Sequence, residues 1–319
     1  MKAILADYIF LLRPMILIPV WTFYLLGAHH ARTASGRPTA AVPFIAGLVS
    51  FTALLGAIYI MNQIADRKTD LDRNKLFLIS RGIISLKAAW LESALLAGAS
   101  FALALALLPR AFTVILAVSL ALGAIYSLEP LRLKRRPLVD VLANAVGNGI
   151  LNTMAGWIVA GGWSNRWFGN GASLRDLLVL VPYPIAVASV HLTTTLGDRD
   201  ADARVGLRTS GVVLGSSRGL LVAAILMTCA AGAAYAVGNH LALVASIVSL
   251  PFFLMPGKFT ARIEKGADVL LPAKVATLVF AIAAGFLYLG YIPFLAAVIY
   301  LTRLYYRKRF ALDYPSLGR

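Results

Sequence analysis

The chemistry in this sequence is carried by oxygen side chains at fixed intervals. Asn62, Asp66 and Asp70 stand four residues apart in Asn62-Gln63-Ile64-Ala65-Asp66-Arg67-Lys68-Thr69-Asp70, where a long apolar run gives way to a basic stretch. On a continuing helix they form one ridge that drifts by about 40° per step. Three oxygen ligands on one ridge at a membrane edge suit a hard cation. A second copy follows. Thr194-Thr195-Leu196-Gly197-Asp198-Arg199-Asp200-Ala201-Asp202 also closes an apolar run, repeats the D-R-x-x-D pattern, and puts Thr194 where the first copy has Asn62. Two such clusters point to a paired-metal site that grips a diphosphate.

Of the 14 acids in the chain, six fall in these clusters: Asp66, Asp70, Asp72, Asp198, Asp200 and Asp202. Carboxylates this close repel unless a cation or bases neutralise them. A solvated helix end, with local salt bridges to Arg67, Lys68, Arg73, Arg199 and Arg204, is the plainer reading of a single cluster; two copies make it much weaker. Mg²⁺ fits an all-oxygen set, because it keeps several waters and bridges one or two carboxylates to substrate phosphates. His29, His30, His191 and His240 do not cluster with the acids. His191, in an apolar run before Asp198, reads as a packed, hydrogen-bonded residue, and Cys229 as a small core residue.

A third stretch supplies bases: Tyr126-Ser127-Leu128-Glu129-Pro130-Leu131-Arg132-Leu133-Lys134-Arg135-Arg136-Pro137. Arg132 and Lys134 alternate with leucines, so both can turn inward and bind diphosphate oxygens as they leave. Tyr126 can present its ring to a developing cation. Arg13, beside Pro14 in the first apolar run, either snorkels to the interface or faces a polar site. Asn144, Asn148 and Asn152 make a polar ridge, suited to helix–helix hydrogen bonding or to lining a cavity.

These residues need a frame, and the composition supplies it. The 319 residues are 60% hydrophobic and only 14% charged, with a mean hydropathy of +0.79. Soluble domains are nearer 45–50% apolar and about 25% charged. The expectation is an all-α polytopic transmembrane bundle in one domain, 1–319. Apolar segments lie near 5–28, 42–65, 86–108, 111–128, 138–161, 174–197, 218–238, 241–256 and 274–290, with a tenth near 293–306. Charge and proline fall where a signal peptide would have its apolar region, so the first segment reads as a retained span. The recurrence of D-R-x-x-D after 132 residues (66 to 198) suggests a pseudo-repeat of spans 1–4 (about 1–130) and spans 5–8 (about 137–257).

The net charge of +16 does not suggest nucleic acid, because the bases sit between spans. With the N-terminus cytoplasmic and ten spans, 25 of the 30 Lys and Arg fall inside; Arg32, Arg37, Arg110, Arg166 and Arg175 fall outside. That asymmetry sets the orientation and puts both acidic clusters on the cytoplasmic face. Such bases also suit anionic membrane lipid or a phosphorylated substrate. With nine spans the basic tail would face outward.

Taken together, Asn62-x-x-x-Asp66-x-x-x-Asp70, Asp198-x-x-x-Asp202 and Tyr126-Ser127-x-x-Pro130-x-Arg132-x-Lys134 resemble the UbiA-type superfamily of intramembrane prenyltransferases, in order, spacing and placement over nearly the whole chain. The resemblance implies a bundle of nine core spans around a central cavity capped by cytoplasmic loops. It implies Mg²⁺-dependent transfer of an isoprenyl group from a prenyl diphosphate to an aromatic or lipid acceptor, as in isoprenoid quinone or related lipid biosynthesis. Asn62, Asp66, Asp70, Asp198 and Asp202 would hold Mg²⁺ and diphosphate, with Asp66, Asp70, Asp198 and Asp202 as the catalytic set. Arg132 and Lys134 would contact diphosphate, and Arg13 would lie near acceptor or diphosphate. This chain departs from the pattern in its tenth segment, in Asn74-Lys75 to Ser80-Arg81-Gly82, and in Glu129-Pro130.

Two other readings compete. A CDP-alcohol phosphotransferase also uses membrane-edge aspartates, but no acid lies between Asp202 and Glu264 to complete its set. A transporter of a phosphorylated or anionic metabolite would place its charges near the midplane rather than at one face.

Overall fold

The computed structural model describes residues 2–72, 77–162, 174–204, 206–254 and 269–315, which contain helices and no strand. Arg73, Asn74, Lys75, Arg166 and the stretch 255–268, with Glu264, lie outside the described residues. The helices are α1 (Leu5–Leu11), α2 (Pro14–Ser35), α3 (Ala41–Asp72), α4 (Phe77–Ser80), α5 (Leu86–Leu107), α6 (Arg110–Ser127), α7 (139–162), α8 (Leu174–Leu178), α9 (Pro182–Arg204), α10 (Ser210–Ala236), α11 (His240–Leu254), α12 (Leu271–Leu287) and α13 (Tyr291–Phe310). Helix α7 alternates α-helical turns with wider π-helical ones at Ala145–Leu151 and Ile158–Gly162. The described parts of the ten apolar segments are helical, the first divided between α1 and α2 and the sixth between α8 and α9. Among the described residues, five helices are long and apolar enough to cross a membrane, and α1 with α2 makes a sixth if the bent pair is one span.

Local chemistry sets the breaks. Pro14 lacks a backbone N–H and disfavours helical geometry in the residue before it. Arg13 takes a left-handed conformation (φ 58°) and α1 meets α2 at 49°. Arg13 therefore sits at a break between helices within the first apolar run. At 32 residues, α3 is about 48 Å long against a hydrocarbon core of about 30 Å. Its last turns, which carry Asn62, Asp66 and Asp70, can reach past the apolar layer.

α3 is central, with 61% of its apolar window buried, whereas α5 and α6 bury only 17% and 22%. Their exposed Leu91, Leu95, Leu105, Val114 and Val118 suit contact with lipid. Cys229, expected in the core, is exposed instead. Helix α2 crosses α7 almost backbone to backbone. A Cβ on Gly27 would lie 1.9 Å from the Thr153 carbonyl oxygen, and one on Gly156 1.8 Å from that of Tyr24. Lipid gives helices no hydrophobic reason to associate, so small residues that let backbones touch hold such a crossing together.

Helix α13 returns to the chain's start. Arg309 grips the fully buried carboxylate of Asp7 with both Nε (3.1 Å) and Nη2 (2.9 Å). Tyr305 donates to the same group at 2.7 Å and stacks on Phe10 with centroids 3.9 Å apart. Breaking a buried pair of this kind costs about 3–5 kcal/mol. Gln63 donates to the Leu11 carbonyl at 2.8 Å. The start of the chain, the end of α13 and the end of α3 thus share one end of the bundle.

Candidate active site

The short loop after α6 reaches back to α3. Arg132 Nη2 donates to Asp66 Oδ1 at 2.9 Å, and Lys134 Nζ to Asp66 Oδ2 at 2.5 Å. All three side chains are largely buried, at 11% exposure for Arg132, 14% for Lys134 and 22% for Asp66. Leu131 and Leu133 alternate with the two bases, and the predicted convergence of Arg132 and Lys134 is present. Arg132 adopts a left-handed backbone (φ 36°) just before the 3₁₀ turn Leu133–Arg135. Such a conformation costs about 1–3 kcal/mol in a non-glycine residue and persists where the surroundings impose it. Here Glu129 also binds Arg132 (3.1 Å) and Arg135 (3.0 Å). Burial holds the Lys134 ammonium below its ordinary pKa, against the upward pull of Asp66.

The arginine inside each motif takes no part in the Asp66 clasp. Arg67 donates to the Ile64 carbonyl, and Arg199 binds Asp200 and Ser216. In the second motif, buried Asp202 accepts from the hydroxyl of Thr209 at 3.1 Å. Thr209 is the N-cap residue of α10.

A run of contacts brings the two motifs to one end of the bundle. Asn62 donates to Ser127 at 3.1 Å, which joins the ends of α3 and α6. Asn144 donates to the Tyr126 hydroxyl at 3.4 Å, which joins α6 to the start of α7. Buried Asp140 in α7 accepts from the backbone N–H of Ser210 at 3.1 Å and from its hydroxyl, which joins α7 to α10. Thr209 then leads to Asp202. Tyr126 sits among these groups, within electrostatic reach of Asp140, Asp66 and Asp202. Arg13 lies within electrostatic reach of Tyr59, one turn before Asn62 on α3. Asp70 is buried, and Asp198 is half-buried on the same helix as Asp202.

One residue escaped the sequence, and two readings are refined. Asp140 is one of few acids inside an apolar segment, and that rarity was its signal. The asparagine ridge is an intrahelical ladder: Asn148 donates to Asn144 at 2.6 Å and Asn152 to Asn148 at 3.5 Å, with Tyr126 at its end. His191 is not hydrogen-bonded through Nε2, which is buried without a partner.

The donor set suits a hard divalent ion: oxygen ligands only, from helix ends gathered at one end of the bundle beside Tyr126. Among the described residues no three acids, histidines or cysteines enclose a metal position. Mg²⁺ is ordinarily bound by one or two carboxylates together with substrate phosphates rather than by an all-protein cage. The arrangement fits an ion that arrives with a diphosphate.

Fold and site thus define a helical membrane protein with acids and bases gathered at one end. The UbiA prenyltransferase family model matches residues 16–271, and the chain belongs to that family. It is 28% identical over 227 residues to a probable chloroplastic homogentisate phytyltransferase 2 from Oryza sativa subsp. japonica; the match takes in 67% of this chain and 60% of that protein. The fold is shared with a UbiA homologue from Archaeoglobus fulgidus bound to GPP and Mg²⁺ (TM-score 0.65, 22% identity, 88% of this chain and 98% of that one). An apo UbiA homologue from Aeropyrum pernix K1 is similar too (TM-score 0.65, 20% identity, 84% and 96%).

Proposed function

We propose that this protein is an Mg²⁺-dependent membrane prenyltransferase that moves an isoprenyl group from a prenyl diphosphate to an aromatic acceptor, in isoprenoid quinone or related lipid biosynthesis. The observation that carries the reading is Asp66 clasped by Arg132 and Lys134 at the end of the bundle that also holds Asp202. The aromatic acceptor follows the phytyltransferase relative. Mg²⁺ bound with the donor supplies positive charge that stabilises the diphosphate as it leaves.

Asn62, Asp66, Asp70, Asp198 and Asp202 hold the ion, with Asp66, Asp70, Asp198 and Asp202 as the residues on which turnover depends. Arg132 and Lys134, now on Asp66, exchange that partner for diphosphate oxygens. Tyr126 faces the allylic carbon as it gains positive character. Arg13, at the α1–α2 break, steadies the head group of donor or acceptor. The apolar interior receives the isoprenoid tail and keeps water from the cationic carbon.

The whole chain, 1–319, works as one domain, with 1–130 and 137–257 as quasi-equivalent halves that each contribute one acidic motif. Nine core spans surround the cavity, cytoplasmic loops cap it, and α13 adds a tenth. An even number of crossings agrees with the Asp7–Arg309 contact, which brings the start of α1 and the end of α13 together. The acids then face the cytoplasm.

The test is transfer by the purified full chain in detergent or vesicles. Labelled prenyl diphosphates of several lengths are offered with hydroxybenzoate, dihydroxyphenylacetate and glycerol-lipid acceptors. Mg²⁺-dependent prenylation of an aromatic acceptor with release of diphosphate is expected. Donors returned intact with every acceptor would overturn the reading.

A further inference from the structure

One buried nitrogen beneath the acidic motifs has no hydrogen-bond partner. His191 lies seven residues before Asp198 on α9, so it keeps to the same face within about 20° and sits about 10 Å deeper along the helix. Two other helices bring polar groups to this layer. Asp140 of α7 is within electrostatic reach of His191, and Tyr126 of α6 is within reach of Asp140. The other members are satisfied. Asp140 accepts from the N–H groups of Val141 and Ser210 and from the Ser210 hydroxyl, and Tyr126 accepts from Asn144. His191 Nε2 is buried with no hydrogen-bond partner. Buried polar atoms are rarely left so, because each costs about 1–3 kcal/mol. A ligand that brings a hydrogen to Nε2 would remove that cost.

We propose that His191 is a catalytic residue, the base that takes the proton from the acceptor ring. This rests on the prenyltransferase reading above. The bond between the prenyl carbon and the diphosphate oxygen breaks, and its electron pair leaves with diphosphate. A π pair of the aromatic acceptor forms the new carbon–carbon bond. The hydrogen on that ring carbon passes as a proton to His191 Nε2, its bonding pair restores the ring, and the imidazolium later returns the proton to water. Nε2 must then be the bare nitrogen, with the ring hydrogen on Nδ1. Asp140 stabilises the imidazolium from across the α7–α9 contact, held in place by Ser210.

The experiment compares wild type, His191→Gln and His191→Phe in the intact protein, with ring-deuterated and ordinary hydroxybenzoate and dihydroxyphenylacetate as acceptors. Direct binding of labelled geranyl diphosphate with Mg²⁺ is measured in parallel. Expected are a fall in kcat of about 10²-fold in both variants, donor affinity within about twofold of wild type, and a primary deuterium isotope effect that appears or grows in the variants. Wild-type kcat without an isotope effect in His191→Gln would overturn the proposal. Loss of donor binding in step with kcat would also overturn it, by making His191 a packing residue. A wild type that binds donor but forms no prenylated aromatic product would overturn the parent reading, and this one with it.

Discussion

The two acidic motifs share a spacing and differ in what holds them. At the end of α3, Asp66 is neutralised by two bases from a loop more than sixty residues further along the chain. At the end of α9, Asp202 accepts from the hydroxyl of Thr209, which opens the next helix. Both carboxylates accept charge-assisted bonds, but at Asp66 the donors are cations, which a more highly charged anion can recruit. A hydroxyl contact orients a carboxylate but brings no opposite charge of its own. The difference suggests a division of labour within the proposed site. The first motif couples ion binding to the bases that meet diphosphate, and the second presents a carboxylate already fixed in position.

Substitutions can break or sharpen this contrast. Asp66→Ala and Asp198→Ala remove one acid from each motif and should each lower prenyl transfer by about 10³-fold or more, since each takes charge from the point where the leaving group is stabilised. Folded protein that keeps near-normal turnover in either variant would end the equivalence of the motifs. Lys134→Met removes one of the bases on Asp66. Transfer should fall by roughly 10²-fold, with weaker prenyl diphosphate binding seen by direct titration. Thr209→Val deletes one hydrogen bond to a carboxylate, worth about 1.5–3 kcal/mol, so half-saturating Mg²⁺ should rise by about tenfold to 10²-fold. If Thr209→Val proves costlier than Lys134→Met, the assignment of roles is reversed. Arg199→Ala should have the smallest effect, within about twofold in kcat/KM, because its exposed pair with Asp200 is worth about 1 kcal/mol or less.

Local patterns and distant contacts show why some of this could be read in advance. Spans and acidic motifs were legible because each rests on local repetition: an apolar run long enough to cross lipid, or oxygen side chains every fourth residue. Arg132 and Lys134 were legible as an inward pair because leucines alternate with them. The Asp7–Arg309 clasp was not, since its partners are about 300 residues apart and each alone reads as an ordinary interfacial charge. Cys229 was misread for the opposite reason, because an apolar neighbourhood in a membrane helix points as readily to lipid as to protein. His191 could be placed on the face of Asp198, but whether its nitrogen had a partner depended on side chains from α6 and α7.

Sequence alone determined that this chain is a helical membrane protein and that its acids gather at the ends of two apolar runs, and it raised the expectation of a diphosphate there. Composition and spacing suffice there, because lipid forces backbone hydrogen bonds to close within each helix. Tertiary structure decided which base meets which acid, that Asp140 ties α7 to α10, and that Nε2 of His191 is left without a hydrogen-bond partner. Those outcomes depend on helices packing side by side, and contacts between segments far apart in the chain leave no trace in local spacing.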